Sequence, residues 1–146
     1  EIDRLANTNV VLEMERGGEI EIRLLARYAP NNAARFERLA KSGYFDGLTF
    51  HRVATNFVIQ GGSPAANEFA GDANYTRDEL GLVSHWRGTV GTSTRGRDTG
   101  DGQIFINLID NLRLDHNYGV FGEIVKGMDT VDQVAEGDVI TRARVK

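Results

Sequence analysis

Apolar and polar residues alternate with a period of two in several short stretches of the chain, and this spacing predicts β-strands with one buried face. The clearest case is Glu19–Leu24, where three aliphatic residues alternate with three charged ones. Gly17 and Gly18 precede it, and glycine supplies the positive φ that a tight hairpin requires. We therefore expect a hairpin with the run at 10–15. The full set of predicted strands is 10–15, 19–24, 50–53, 57–62, 88–94, 103–108, 118–124 and 138–145.

Two stretches change from strand spacing to the spacing of an amphipathic helix. The first is 31–42, which follows Pro30, a residue suited to the first turn of a helix, and stops at Gly43. The second is 127–136, which stops at Gly137. Their apolar positions are Ala33, Phe36, Leu39 and Ala40 in the first, and Met128, Val131, Val134 and Ala135 in the second.

The order of these elements indicates the fold class. Strands do not alternate regularly with helices, so a doubly wound parallel sheet is not expected. Short strands joined by glycine turns are typical of an antiparallel barrel or sandwich with a helix packed at each end. We find no internal repeat and no linker, and we expect a single domain over residues 1–146 with 1–8 as a loose lead-in.

Composition and charge narrow the function classes. The chain has 146 residues and a formal net charge of −4, which gives no basic footprint for nucleic acid or for an anionic membrane. No aliphatic run is long enough to span a membrane. Cysteine is absent, which excludes disulfides but leaves the compartment open between the cytoplasm and a periplasmic or secreted location. Because the chain begins at Glu1, we expect a processed form or a domain of a longer protein.

Several familiar kinds of catalytic site are disfavoured. His51, His85 and His116 have no short ligand spacing, so we expect no metal and no cofactor. The acidic turn at 98–102 lacks the ligand pattern of an EF-hand. Ser93 is not in a Gly-x-Ser-x-Gly elbow, and the glycine pairs do not form a phosphate-binding loop.

Polar residues inside two apolar runs are the remaining candidates for chemistry. Arg52 and Gln60 stand among residues that otherwise look buried, so either the strands are half exposed or both side chains line a concave site. In the run 103–106, alternation places Gln103 and Phe105 on the face opposite to two isoleucines, and the isoleucine face is the expected core. A break at 54–56 is needed if Phe57 is to share a face with Arg52. From periodicity alone, scattered surface and core positions explain these residues as well as a groove does.

The motifs at these positions resemble the cyclophilin family of peptidyl-prolyl cis–trans isomerases. The resemblance lies in Phe50-His51-Arg52-Val53 followed by 57–62, in Gly102–Ile106, in Val120-Phe121-Gly122 with Gly127-Met128, and in 24–36 with Pro30 and Phe36. It covers roughly residues 9–145 in order. It implies a mainly β fold, a closed eight-stranded antiparallel barrel capped by two α-helices.

The resemblance also implies a set of site residues. It assigns catalysis to Arg52, Phe57 and Gln60, and substrate binding to Val58, Ser93, Thr94, Gln103, Phe105, Arg113, Leu114 and Tyr118. Three positions depart from well-known members: Thr94 replaces Asn, Tyr118 replaces the His of many eukaryotic members, and Arg113 replaces the Trp of cyclosporin-sensitive members. The loop between 62 and 75 is also shorter than in long-loop members.

The implied activity is non-covalent isomerisation of X-Pro bonds, with proline-containing peptides and unfolded client proteins as partners. Arg113 predicts weak cyclosporin binding, and we expect a monomer. A proline-peptide binding or scaffold domain without catalysis is the alternative, and an unrelated barrel with coincidental motifs is a third possibility. The arginine and the pocket phenylalanines are all present, which favours the enzyme.

Overall fold

The first hairpin forms as its alternating pattern predicts, with β1 at Asn9–Met14 and β2 at Glu19–Leu24. The computed structural model describes residues 1–63, 83–92, 102–115 and 118–146. Gly17 and Gly18 have φ of 103° and 85° in the turn, a conformation open to glycine because it lacks a Cβ.

The sheet is antiparallel throughout, in the strand order β3-β4-β6-β5-β7-β2-β1-β8. The predicted strands and the two predicted helices are present with slightly different ends, so the mainly β antiparallel architecture is confirmed. The other elements are α1 at Ile2–Ala6, α2 at Pro30–Lys41, β3 at Arg52–Ala54, β4 at Val58–Gly61, β5 at Thr89–Thr92, β6 at Ile104–Asn107, a 3-10 turn at Leu112–Leu114, β7 at Val120–Lys126, α3 at Met128–Gln133 and β8 at Ile140–Val145.

The predicted closure of the barrel is wrong, because the sheet is an open half-barrel. Its edge strands are β3 and β8, and the described residues form no ladder between them. The chain that enters β3 meets the chain that enters β8 at one bridge, between Thr49 and Val139. Beside that bridge the Phe50 N–H donates to the Asp138 carbonyl, at 3.0 Å. Three further backbone hydrogen bonds join residues 47–50 to residues 137–140, and all of them lie before β3 begins at Arg52, so the contact is not a ladder between β3 and β8.

The hydrophobic core lies between the sheet and α2. Phe36 on α2 contacts two other rings, with centroid distances of 5.2 Å to Phe45 and 5.0 Å to Phe121. Ile104 and Ile106 belong to the same core. This confirms that the isoleucine face of β6 points inward, and it leaves Phe105 on the opposite face. Among the described residues, no helix combines the length and apolar character needed to cross a membrane.

The first eight residues are not the loose lead-in that we expected, since they contain α1. Leu5 is buried in the core, and the Arg4 guanidinium donates to both carboxylate oxygens of Glu37 on α2, at 2.8 and 3.0 Å. A five-residue helix is unstable alone and produces little periodicity. Its order comes from these tertiary contacts, which the sequence pattern does not reveal.

Candidate active site

The β3–β4 hairpin carries Arg52, Phe57 and Gln60, and its turn sets the direction of each side chain. The Phe57 N–H donates to the Ala54 carbonyl at 3.0 Å, and Asn56 has a positive φ of 58°. Asparagine tolerates this left-handed conformation better than most residues. The break at 54–56 is therefore confirmed, and it allows Phe57 to line the same groove as Arg52 and Gln60.

Arg52 is hydrogen-bonded to a short chain of two side-chain amides. It pairs with Gln60 across the β3–β4 ladder, and its Nη1 donates to Gln60 Oε1 at 3.5 Å. Gln60 Nε2 in turn donates to Gln103 Oε1 at 3.0 Å. Gln60 and Gln103 are 5% and 1% exposed, whereas Arg52 is exposed. The two buried glutamines therefore hold an acceptor, Gln60 Oε1, next to the exposed guanidinium of Arg52.

The opposite side of the groove is apolar. Phe105 pairs with Gln60 across the β4–β6 ladder, so the aromatic ring and the amide chain lie side by side. Leu114 comes from the 3-10 turn, and the Arg113 guanidinium carbon lies 4.8 Å from the centroid of the Phe57 ring. The groove is lined by Arg52, Phe57, Val58, Gln60, Phe105, Leu114 and Tyr118, around a space of about 90 Å³. A guanidinium, that of Arg52, beside a small apolar hollow suits a compact apolar ring attached to a polar amide.

The structure brings together most of the predicted site residues. Gln103 lies directly behind the groove through its contact with Gln60. Ser93 and Thr94 fall outside the described residues. Larger surface cavities, of about 260 and 320 Å³, are lined by residues of the β1–β2 turn with α3 and by residues 23–28 with α1, and they contain no predicted site residue. Within the described ranges, no group of three or more His, Asp or Glu side chains is arranged to hold a metal ion.

Sequence reasoning missed a buried polar cluster under the apolar walls. His85 is fully buried, and its ring stacks on Phe105 with a centroid distance of 5.6 Å and an interplanar angle of 11°. Its ring nitrogens contact Asn107 and the Tyr118 carbonyl. Burial lowers the pKa of His85, opposed by the Tyr118 carbonyl and by Asp115. One signal was available, because Asn107 shares the alternating face of Gln103 and Phe105.

The chain belongs to the cyclophilin-type peptidyl-prolyl cis–trans isomerases. The model of that family, described as cyclophilin type peptidyl-prolyl cis-trans isomerase/CLD, matches residues 9–146. The resemblance drawn from the sequence motifs is thereby confirmed.

Curated bacterial relatives agree with this assignment. A peptidyl-prolyl cis-trans isomerase of Helicobacter pylori is 34% identical over 142 residues, which is 94% of this chain and 87% of the relative. Peptidyl-prolyl cis-trans isomerase B of Bacillus subtilis is 37% identical over 136 residues, which is 91% of this chain and 94% of the relative.

Solved structures agree on the fold. A cyclophilin type peptidyl-prolyl cis-trans isomerase of Cryptosporidium parvum has a TM-score of 0.87 at 22% identity, covering 95% of this chain and 97% of its own. A crystal structure of the same protein was determined in the presence of the dipeptide Ala-Pro, and its TM-score is 0.86.

Proposed function

We propose that this chain accelerates rotation about X-Pro peptide bonds by holding the prolyl ring in the groove and aiming Arg52 at the twisted amide. The observation that carries the proposal is the arrangement of Arg52 on the Gln60–Gln103 chain, next to a groove walled by Phe57, Phe105 and Leu114.

The reaction needs no nucleophile and no covalent intermediate. The barrier to rotation is amide resonance, which amounts to about 18–20 kcal/mol. An X-Pro bond therefore changes isomer over tens to hundreds of seconds unaided. A catalyst must bind the twisted amide more tightly than either planar isomer.

Arg52 supplies this preference electrostatically. Twisting removes resonance and leaves a lone pair on the prolyl nitrogen, which a guanidinium N–H can approach as a donor. A donor already in place where charge develops does not have to reorganise during the reaction. The guanidinium acts only as a hydrogen-bond donor, so this step transfers no proton.

The apolar walls hold one side of the rotating bond. With the ring lodged against Phe57, Phe105 and Leu114, the acyl side of the amide turns while the prolyl side stays fixed. The low polarity of the walls strengthens the contact with Arg52 and disfavours the more polar planar amide. We assign Val58, Gln103 and Tyr118 to the same binding surface. By resemblance, we assign Ser93 to the position of the small residue beside the groove and Thr94 to contact with the substrate backbone.

Exchange spectroscopy on a proline-containing peptide tests the proposal against the alternative of a binding module. A catalyst produces cross-peaks between the cis and trans peptide signals at substoichiometric protein concentration, because it shortens their interconversion to the mixing time. A binding domain shifts the peptide resonances without accelerating exchange. We expect accelerated exchange, and shifts without acceleration would overturn the assignment of Arg52 as a catalytic group.

Partners follow from the same site. We propose proline-containing segments of unfolded proteins as substrates, which is consistent with the Cryptosporidium relative crystallised in the presence of Ala-Pro. We also propose weak cyclosporin binding, since a charged Arg113 stands where cyclosporin-sensitive members of the family carry a tryptophan.

A further inference from the structure

We propose that His85, Asn107 and Asn111 form a hydrogen-bonded chain that positions the apolar walls of the groove for the prolyl ring. His85 is the central positioning residue of this chain. The inference rests on the proposed placement of the ring in the groove, and it assigns a role in binding to side chains that do not line the groove themselves.

Each apolar wall is connected to this chain. The His85 ring stacks on Phe105, which meets Tyr118 edge to face at a centroid distance of 5.6 Å and an angle of 82°. His85 Nε2 lies 2.8 Å from the Tyr118 carbonyl oxygen. At the other end, Asn111 Nδ2 donates to the Phe57 carbonyl at 3.0 Å.

Leu114, the third apolar wall, belongs to the same assembly. The Leu114 N–H donates to the Asn111 carbonyl, and the Tyr118 N–H donates to the Leu114 carbonyl, both at 3.0 Å. The Asn111 N–H donates to the His85 carbonyl at 2.7 Å. Movement of His85 would therefore be transmitted to Phe105, Tyr118 and Leu114 together.

The Phe57 carbonyl, at one end of the chain, determines which group donates and which accepts in every hydrogen bond along it. The Phe57 carbonyl can only accept, so the group of Asn111 that faces it is the NH₂. That NH₂ also donates to Asn107 Oδ1 at 2.9 Å, which leaves the NH₂ of Asn107 facing His85 Nδ1 at 3.1 Å.

A second acceptor supports the same orientation, because Asn107 Nδ2 also donates to the Thr89 hydroxyl at 2.9 Å and lies 3.5 Å from the Thr89 carbonyl. His85 Nδ1 must then accept, and the proton resides on Nε2, where it donates to the Tyr118 carbonyl. With asparagine at position 107, the assembled groove therefore requires neutral His85 in one tautomer.

Protonation of His85 would break this pattern. A proton on Nδ1 would point at the NH₂ of Asn107, and the charge would be buried. Among the described groups, the Asp115 carboxylate accepts the His85 backbone N–H at 2.9 Å, and the Tyr118 phenol belongs to a ring that stands beyond Phe105. Burial outweighs the influence of Asp115, and the pKa of His85 lies below its ordinary value of 6.5.

The chain is separate from the one that holds Arg52. Gln60 and Gln103 hold the guanidinium, whereas His85 and Asn107 hold the rings, and the two systems meet at Phe105. Disturbing His85 should therefore weaken peptide affinity more than it slows isomerisation of the bound peptide. Disturbing Arg52 should do the reverse.

The first test is the ¹⁵N NMR spectrum of the His85 ring in the wild-type protein. We expect a proton on Nε2 and an unprotonated Nδ1 from pH 7.5 to well below 6.5. A proton on Nδ1, or titration at the ordinary histidine value, would overturn the proposal. This measurement needs no variant, so it decides the question even if substitutions unfold the protein.

The second test compares two isosteric substitutions of Asn107. Asn107→Leu breaks the chain, because leucine neither donates to His85 nor accepts from Asn111. Asn107→Asp loses the donation to the Thr89 hydroxyl but keeps both links of the chain, since the carboxylate accepts from Asn111 and from a His85 ring that takes up a proton on Nδ1. We expect peptide affinity to fall about tenfold in Asn107→Leu and to stay within about threefold of wild type in Asn107→Asp.

Exchange spectroscopy measures the isomerisation rate of the bound peptide separately from the peptide affinity. The ¹⁵N spectrum of the His85 ring in Asn107→Asp should show a charged imidazole. Val134→Ala, a core truncation at the end of α3, controls for lost stability and should leave affinity unchanged below its unfolding temperature. Wild-type affinity in Asn107→Leu, or equal losses in both variants, would refute the positioning role. Neither result would affect the proposed role of Arg52, which is tested separately by Arg52→Ala and by the exchange experiment on the wild-type protein.

Discussion

Gly91 and Phe105 pair directly across the β5–β6 ladder, and the Phe105 ring lies over the glycine. A Cβ placed on Gly91 would be 2.6 Å from Phe105 Cζ and 2.9 Å from Phe105 Cε1. The backbone of Gly91 is not in the left-handed region, so a side chain there would be strained through its contacts. The Phe105 ring can therefore occupy its position in the wall of the groove only because Gly91 has no side chain.

Gly91→Ala should push the Phe105 ring and impair the enzyme. We expect kcat/KM for a proline peptide to fall about tenfold, with a stability loss of about 1–3 kcal/mol from overpacking. The matched control is Gly122→Ala on β7, whose Cβ would meet Ile22 Cγ2 at 2.8 Å in the core. That variant should lose stability and keep its kcat/KM while folded. Equal activity in the two variants would show that crowding of Phe105 is unimportant.

Arg52→Ala should remove most of the isomerase activity and leave the protein folded, because Arg52 is exposed and contributes little to the core. Loss of a preorganised donor in an enzyme typically costs about 10²–10³-fold in rate. Arg52→Lys should recover little, since an ammonium lacks the planar fork of a guanidinium. Proline-limited refolding of a test protein measures both variants. A near-normal rate for Arg52→Ala would refute the mechanism.

The sequence predicted the sheet well because its strands have an alternating pattern with one dominant face. The run from Ile104 to Ile106 is an example, since two buried isoleucines leave no doubt which side points inward. The groove was harder to predict. Arg52, Phe57 and Gln60 share it only because the turn at Asn56 changes the phase of alternation, and the resemblance to known motifs connected these residues before the turn was visible.

Other features depend on contacts between residues that are distant in sequence. α1 is too short to be stable without α2, and among the described residues the edge strands β3 and β8 do not form a ladder, which only the assembled sheet reveals. Alternation places Asn107 on the face of Gln103 and Phe105, but its pairing with His85 joins positions 22 residues apart and has no local pattern. Periodicity reports local structure and burial, so it does not predict such pairings.

Arg113→Trp should strengthen cyclosporin binding. Arg113 lies over the Phe57 ring at the rim of the groove, where a tryptophan could instead offer a large apolar face and an indole N–H. Aromatic anchors of this kind often contribute 2 kcal/mol or more at interfaces, so we expect affinity to rise at least about tenfold. Arg113→Ala is the control, because it removes the charge without adding a ring. Titration calorimetry of the three proteins measures the effect, and tight binding to the wild type would contradict the prediction.

The ion pair between Arg4 and Glu37 should make stability depend on pH in the acidic range. The hydrogen bonds from Arg4 hold the pKa of Glu37 below its ordinary value of 4.5 despite burial of the carboxylate. Since the pKa is depressed in the folded state, the unfolded state binds the proton more readily. The stabilisation is therefore complete above pH 4.5 and is lost as the pH falls through the lower, folded-state value.

Glu37→Gln should thus lower the free energy of unfolding at pH 7, and the difference from wild type should shrink as the pH is lowered toward 3. Urea unfolding at both pH values measures this change. Glu15→Gln, at an exposed glutamate in the β1–β2 turn, is the matched control and should show a smaller difference at pH 7. A loss in Glu37→Gln that is the same at pH 7 and pH 3 would contradict the prediction, because it would show that the charge of Glu37 is not the source of the stabilisation.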